Sequence, residues 1–257
     1  MKQPTIYLPH GGGPCFFMDP PAEDPERWVA MEKYLRELPA SLPGKPDALL
    51  VISAHWEMPR PTVLSGPHPE LLFDYYGFPA HTYELTYPAP GAPALGAKVR
   101  ELLGDSGEDA ERGYDHGIFV PLKVAFPDAD IPILQLSLQQ GLDPVRHIEI
   151  GRKLKPLRDD NIAVIGSGLS FHNLRALGDS RFDSPAADFD DWLYRCLCQG
   201  EGNLADWESA PGARLAHPRE EHLLPLMVAA GAGEGDPCRR TFSGTVWGKA
   251  VSAFQFG

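Results

Sequence analysis

Short, continuous runs of apolar residues mark the strands of this chain. The clearest runs are Thr5–Leu8, Ala48–Ser53 and Ile162–Ile165, and Ile131–Leu138 is a fourth. Continuous rather than alternating apolarity is typical of strands that are covered on both faces, as in a parallel or mixed sheet. A later apolar stretch, Thr245–Phe256, predicts an additional strand at the edge of the sheet.

Amphipathic stretches separate these strands. Apolar residues recur at helical spacing in five segments: Pro25–Leu38, Ala92–Leu103, Pro144–Leu157, Ala186–Leu197 and His222–Ala230. Strands that alternate with helices indicate a layered α/β fold. We therefore expect a mixed, mostly parallel central sheet flanked by helices, with residues 1–257 forming one domain.

Composition narrows the possible partners and the compartment. The formal net charge is −12 and no cluster of Lys and Arg is present, which argues against nucleic acid and against an anionic membrane surface. No window approaches the roughly 20 apolar residues of a membrane helix, and the N-terminus lacks the apolar core of a signal peptide. The four cysteines form no CxxC pair. These features predict a cytoplasmic protein with reduced thiols.

Three histidines are placed just after predicted strands. His10 follows the first strand, His55 the second, and His172 the strand at 162–165. Ligands of open α/β sheets bind outside the carboxyl ends of the strands, so parallel strands would bring these three side chains to one crevice. Neutral imidazole is the commonest metal ligand in proteins. The pattern predicts a divalent metal site at this edge, with His10 and His55 as ligands.

Other histidines fall into two groups. His116 lies in a Tyr-Asp-His-Gly segment, and His222 follows two glutamates at a predicted helix start, so both are further candidates for the site. The remaining four lack such a context and are interpreted as surface or loop residues: His68, His81, His147 and His217.

A glycine run, Gly11–Gly13, follows His10 and admits a second interpretation. Glycine-rich loops can cradle phosphate at a helix N-terminus. However, the chain has neither the GxGxxG spacing here nor a Walker lysine, which argues against a nucleotide site.

Motifs along almost the whole chain carry a family resemblance. They are Pro9-His10-Gly11-Gly12-Gly13-Pro14, Ile52-Ser53-Ala54-His55-Trp56-Glu57, Asp74-Tyr75-Tyr76-Gly77-Phe78-Pro79, Tyr87-Pro88-Ala89-Pro90-Gly91, Asp115-His116-Gly117-Ile118-Phe119-Val120-Pro121-Leu122, Gly166-Ser167-Gly168 with Ser170, His172-Asn173-Leu174, and His217-Pro218 with Glu221-His222. In these motifs the sequence resembles the LigB-type (class III) extradiol ring-cleavage dioxygenases, in the branch that includes 4,5-DOPA dioxygenases.

The resemblance implies a mononuclear metal at the strand ends, bound by His10, His55 and His222. It implies that His172 is the acid/base or, in some metal-loaded forms, a fourth ligand, and that His116 either contacts the substrate or supports the metal ligands from behind. Iron(II) is expected for activity, and an all-histidine site could also carry Zn²⁺ in isolated protein. Because two histidines and a carboxylate are the usual set of non-haem iron oxygenases, Glu221 is an alternative to His222.

The implied reaction is extradiol opening of a DOPA-like catechol with O₂. In it His172 would take a proton from a catechol hydroxyl and later return it. The aromatic loop at 73–90 is expected to shape the choice of catechol. Two alternatives remain at this point: a zinc hydrolase with His172 or Glu57 as base, and a non-catalytic metal-binding protein on the same fold. The sequence is also compatible with a homo-oligomer.

Overall fold

An eight-stranded sheet forms the centre of the molecule in the computed structural model, which describes all residues from 1 to 257. Its strands are β1 (Thr5–Pro9), β2 (Ala48–Met58), β3 (Thr62–Leu64), β4 (Gly107–Asp109), β5 (Ile133–Gln139), β6 (Ile162–Gly168), β7 (Cys238–Val246) and β8 (Lys249–Phe256). They lie in the order β4-β3-β5-β2-β6-β1-β8-β7.

The four central strands, β5, β2, β6 and β1, are all parallel. At one side β8 pairs antiparallel with β1 and β7 with β8, and at the other β3 contacts β5 in an antiparallel bridge. The expected mixed, mostly parallel sheet is thus confirmed. Since the central strands share one direction, their carboxyl ends lie along a single edge.

Seven α-helices accompany the sheet. They are α1 (Val29–Glu37), α2 (Pro93–Leu103), α3 (His116–Ala125), α4 (Pro144–Leu154), α5 (Asp183–Tyr194), α6 (Ala213–Ala216) and α7 (Leu224–Ala232). Successive side chains of a strand point to opposite faces. In β2, Leu49 and Val51 pack into one hydrophobic core with residues of α1 and α3, whereas Leu50 and Ile52 pack into the other with α4 and α7. Both faces of the sheet are therefore covered, which explains the continuous apolar runs.

The structure corrects two expectations about strands. β2 continues through His55 to Met58, and its pairing with β5 shifts register between Ile52 and Glu57. His55 therefore lies in an irregular part of the strand rather than beyond its end. The segment Thr245–Phe256 is not one edge strand, because a turn at Trp247 and Gly248 separates β7 from β8, and β7 is the edge.

Among the helices, α3 was absent from the sequence prediction. Nine of its ten residues are buried, so it shows no polar face, and Pro121 lies inside it. Without a polar face the 3.6-residue periodicity disappears. The short α6 was not predicted either. The other five helices were predicted with shifted ends; α1, for example, begins at Val29 rather than Pro25.

The cysteines correct the expectation of four reduced thiols. Cys198 and Cys238 form a disulfide across 40 residues, while Cys15 and Cys196 are free and buried. The link joins the end of the α5 region to the edge strand β7. None of the helices is both long enough and apolar enough to cross a membrane.

Candidate metal and catalytic site

The carboxyl edge of the sheet gathers five histidines. His10 follows β1 directly, His55 lies near the end of β2, and His172 lies four residues beyond β6. His116 is the first residue of α3, and His222 precedes α7. All five line one cavity, so the predicted convergence of His10, His55 and His172 is confirmed and His116 and His222 join them.

His10 and His55 approach each other most closely through their Nε2 atoms, which are 3.2 Å apart. The Nδ1 atom of His10 lies 3.1 Å from the Ser167 hydroxyl, which itself donates to the Gly117 carbonyl. Because the hydroxyl proton of Ser167 is engaged with Gly117, Ser167 can only accept from His10. The proton of the His10 ring is therefore on Nδ1, and Nε2 of His10 carries a lone pair. Nitrogens bound at about 2.0–2.1 Å to one ion lie about 3.0–3.4 Å apart, so the spacing fits a shared metal.

His222 completes a triangle of imidazoles. Its ring centre is 5.2 Å from that of His10 and 4.8 Å from that of His55, and the His10 and His55 centres are 4.9 Å apart. The segment before α7 reaches this position by crossing β6 in close contact. A Cβ atom at Gly168 would collide with the His222 carbonyl, and one at Gly166 with the Pro225 carbonyl. Glycine at these two positions of β6 is what permits the approach.

His116 is held by Asp74 from the aromatic loop. One carboxylate oxygen of Asp74 accepts hydrogen bonds from the His116 backbone N–H at 3.0 Å and from its Nδ1 at 2.8 Å. Burial is the largest single influence on the Asp74 carboxyl and opposes its ionisation, but the hydrogen bonds from His116 and the charges of His116 and His55 together lower its pKa. The bond fixes the His116 tautomer, so its Nε2 is left as an acceptor.

His172 and His222 share a second carboxylate. The Nδ1 atoms of both rings lie 3.0 Å from Oε1 of Glu221, and the rings stack with centres 3.3 Å apart. Arg219 lies 3.5 Å from the other oxygen of Glu221. Burial raises the pKa of Glu221, but His172, its own backbone and Arg219 together lower it below the ordinary value. An ionised Glu221 thus orients both imidazoles.

Burial keeps the imidazoles of the triangle neutral. Desolvation and the neighbouring histidines lower the pKa of His10 and of His222 well below 6.5, and desolvation is also the main reason that the pKa of His55 falls to about 4. A neutral ring binds a cation without first losing a proton. Around neutral pH the three side chains are therefore ready to coordinate a divalent ion.

A buried polar cluster around Asp115 holds the backbone next to His55 and His116. Ser53 donates to Asp115 Oδ1 at 2.6 Å, and Gln135 and Arg112 donate to Oδ2, the latter at 3.0 Å. Arg112 also donates to the His55 carbonyl at 3.2 Å. Asp115 is fully buried, so this cluster ties β2, β5 and the start of α3 together beneath the histidines.

We predict that Asp115→Ala lowers the free energy of unfolding by about 3–5 kcal/mol, because it leaves the half-buried Arg112 guanidinium and the buried donors of Ser53 and Gln135 without their acceptor. Urea denaturation followed by circular dichroism measures the change. Asp130→Ala is the matched control, since Asp130 pairs with Lys45 at 2.5 Å on the exposed surface. There we expect a loss of less than about 1 kcal/mol. Equal losses in the two variants would contradict the structural role of the cluster.

The cavity has a volume of about 780 Å³ and is open on one side. Tyr75 and Phe78 of the aromatic loop line it, as do Phe171 and Leu174 beyond β6. The expectation that the loop packs near a pocket is thus confirmed. The cavity is of a size that holds a small organic ligand against an apolar wall, with a few polar groups at one end.

Four histidines were interpreted from sequence as surface or loop residues. His68 and His81 are indeed exposed. For the other two the interpretation was wrong, since His217 and His147 are almost completely buried. Nε2 of His217 lies 2.9 Å from the Ser170 carbonyl, and the His147 ring accepts from the Gln139 backbone N–H at 3.1 Å. Both are structural histidines that satisfy backbone groups in the core.

Four residues that contact the histidines or Glu221 were not predicted as site residues from the sequence: Asp74, Arg112, Ser167 and Arg219. Asp74 and Ser167 stood inside motifs that were noted, but their partners lie 42 and 157 residues away in the chain. Only the hydrogen bonds reveal that each one orients a histidine.

Comparison with known proteins agrees with this site. A family model described as the catalytic LigB subunit of aromatic ring-opening dioxygenase matches residues 4–252. The chain belongs to the LigB family. It is therefore an aromatic ring-opening dioxygenase of the extradiol type, and the family implies a metal cofactor.

Individual relatives of this LigB-family chain cover most of its length. A 4,5-DOPA dioxygenase extradiol of Portulaca grandiflora is 39% identical over 89% of this chain and 86% of its own. Dioxygenase tasH of Hapsidospora irregularis is 37% identical over 99% of this chain and 85% of its own. The crystal structure of an uncharacterized protein from Escherichia coli K12 superposes with a TM-score of 0.80 at 30% identity, covering 99% and 100%.

Proposed function

We propose that the chain opens the ring of a DOPA-like catechol with O₂ at one iron(II) ion held by His10, His55 and His222. The observation that carries this proposal is the triangle of ring centres, with sides of 4.8, 4.9 and 5.2 Å. Imidazoles that bind one ion through a nitrogen at about 2.1 Å have centres about 4.5–5.3 Å apart. All three sides lie within that range.

The remaining histidines fit the triangle less well. The His116 centre is only 3.9 Å from that of His55, and the His172 centre is 3.3 Å from that of His222. One nitrogen of His116 does lie within 4.8 Å of nitrogens of His10 and His55. However, rings whose centres are this close would need an N–metal–N angle well below the roughly 90–109° of ordinary metal sites. This supports His222 as third ligand, with His172 as acid/base rather than fourth ligand.

Glu221, the alternative third ligand, has other partners. One of its oxygens faces the Nδ1 atoms of His172 and His222, and the other faces Arg219. A histidine that binds a metal through one ring nitrogen often donates the N–H of its other ring nitrogen to a carboxylate, which orients the ring. This arrangement supports an orienting role for Glu221.

When bound, iron(II) supplies an electron path between catechol and O₂ and lowers the pKa of a coordinated hydroxyl. The chain's own residues handle the protons. The Nδ1–H group of His172 donates to Glu221. The Nε2 atom of His172 is therefore free to accept a catechol proton and to return it later in turnover. His116, fixed by Asp74, offers a second acceptor for a substrate hydroxyl. Tyr75 and Phe78 shield the reacting groups from water.

We expect anaerobically prepared, iron(II)-loaded protein to consume O₂ when it is given catechols, and to form a yellow ring-opened semialdehyde. Zinc has no second oxidation state available, so protein loaded with Zn²⁺ should show neither effect. An oxygen electrode and absorbance spectra on a panel that includes catechol and L-DOPA measure both. Absence of O₂ uptake with every member of the panel would refute the proposal, and turnover by the zinc form without O₂ would favour a hydrolase.

A further inference from the structure

The cavity extends beyond the histidines into a region that one catechol ring would leave empty. We call it the aromatic arm, and it is lined by Trp28, Val246, Trp247 and Val251. Trp28 lies against the glycine loop that follows His10, since a Cβ atom at Gly12 would be 3.7 Å from its ring. The arm thus begins beside a proposed metal ligand and leads away along the β7–β8 hairpin.

Trp247 occupies an unusual backbone position in this arm. It has a φ of +51° and Gly248 has a φ of +77°, so the two residues form the turn between β7 and β8 in the left-handed region. Turns of this kind favour Asn, Asp or Gly, and a bulky side chain there is disfavoured. Unfavourable backbone conformations are held by surrounding contacts and cluster at functional sites.

Two contacts hold the Trp247 ring. The Trp28 ring meets it edge to face at a centre distance of 5.3 Å, and the Arg27 guanidinium lies 4.4 Å over its centre. Both fix an extended apolar surface in the wall of the cavity. Turn formation does not explain this tryptophan, whereas a role in the cavity does.

The charges around the cavity define what the arm can accept. The cations that line it are already paired: Arg27 with Asp24 and Glu23, Arg219 with Glu57, and Lys249 with Asp183. Asp19, by contrast, is an exposed carboxylate of the lining that has no ion pair. An anionic ring substituent would find no free cation here and would meet a like charge.

We infer that the aromatic arm binds an uncharged, apolar substituent of the catechol, of alkyl or aryl type, and that Trp247 determines this specificity. The inference rests on the proposed ring opening of a catechol, and it replaces the DOPA-like side chain of that substrate with an uncharged, apolar substituent. It differs from what the name of the 4,5-DOPA relatives would suggest, because the DOPA side chain carries both a carboxylate and an ammonium group.

The test compares 4-butylcatechol with 3-(3,4-dihydroxyphenyl)propionate, which is similar in size but anionic, and with L-DOPA. For the iron(II)-loaded full chain we expect kcat/KM for 4-butylcatechol to exceed that for the propionate by about tenfold or more, since the butyl chain buries a terminal ethyl group where the propionate would have to desolvate a carboxylate. Equal values, or a preference for the propionate or for L-DOPA, would overturn the inference while leaving the proposed function intact.

Trp247→Asn tests the residue itself, and asparagine tolerates the positive φ of the turn. We expect the ratio between 4-butylcatechol and the propionate to fall at least about fivefold. Phe242→Ala is the matched control: Phe242 lies in the same hairpin and packs on Tyr34, with ring centres 5.4 Å apart, away from the cavity. It should leave the ratio unchanged. An unchanged ratio in Trp247→Asn, or an equal fall in both variants, would refute the role of Trp247.

Equilibrium dialysis against zinc-loaded protein separates binding from turnover. We expect 4-butylcatechol to bind about tenfold more tightly than the propionate, and Trp247→Asn to reduce the difference. If no catechol is turned over by the iron form but this binding preference is present, the proposed function fails and the inference stands. If turnover is present but the binding preference is absent, the inference fails alone.

Discussion

His10→Ala is expected to remove the bound metal and ring-opening activity together. His10 contributes one of three neutral imidazoles, and its Nε2 is 3.2 Å from that of His55. Alanine leaves two of the proposed ligands, while Ser167 is bonded to Gly117, Glu221 is engaged by His172 and His222, and Asp74 fixes the His116 ring. We expect at least a hundredfold weaker metal binding, a loss at the upper end of what orienting residues of metal sites contribute.

Metal content per chain by mass spectrometry, and competition with a chelator of known affinity, measure this loss. His68→Ala is the matched control, since His68 is an exposed histidine outside the cavity and should retain one ion per chain. Circular dichroism establishes that both variants fold. A folded His10→Ala protein that still binds one ion per chain with unchanged affinity would remove His10 from the ligand set.

Part of this site could be predicted from the sequence for a simple physical reason. A strand buried on both faces leaves a continuous apolar run, and the first polar residues at its carboxyl end mark the edge of the sheet. His10 follows such a run directly, and His172 lies four residues beyond one. The prediction therefore needed only the direction of β1 and β6, which the parallel pairing confirms.

His116 and His222 could not be placed in the same way. Each belongs to a segment whose position depends on tertiary contacts: α3 is buried almost throughout, and the chain before α7 crosses β6 at two glycines. Local pattern carries no information about such crossings. The local sequence made both residues candidates for the site, and only the family resemblance assigned them a role.

The hairpin of β7 and β8 was not predicted because its turn lacks the residues that usually form such turns. A two-residue turn with both φ values positive is normally announced by Asn-Gly or a similar pair. Here the first position is Trp247, which a sequence pattern assigns to a strand. The failure coincides with the residue to which we attribute substrate selection, as expected where local preference yields to function.

His172→Ala is expected to lower kcat by about 10²–10⁴-fold, the usual contribution of a general acid/base, while metal content stays near one ion per chain. The two effects separate because the His172 ring stacks on that of His222 at 3.3 Å, too close for both to bind one ion, and because Glu221 holds its Nδ1.

Glu221→Gln supplies the comparison for His172→Ala. Glutamine keeps the shape of the side chain but removes the charge that orients His172, so turnover should fall less than in His172→Ala. Parallel measurements of kcat and metal content on the unsubstituted protein and the two variants decide the role of His172. If His172→Ala loses metal in proportion to activity, its ring is a fourth ligand. If it keeps both metal and full turnover, the proton passes through another group, and His116, held by Asp74 at 2.8 Å, is the next acceptor in the cavity.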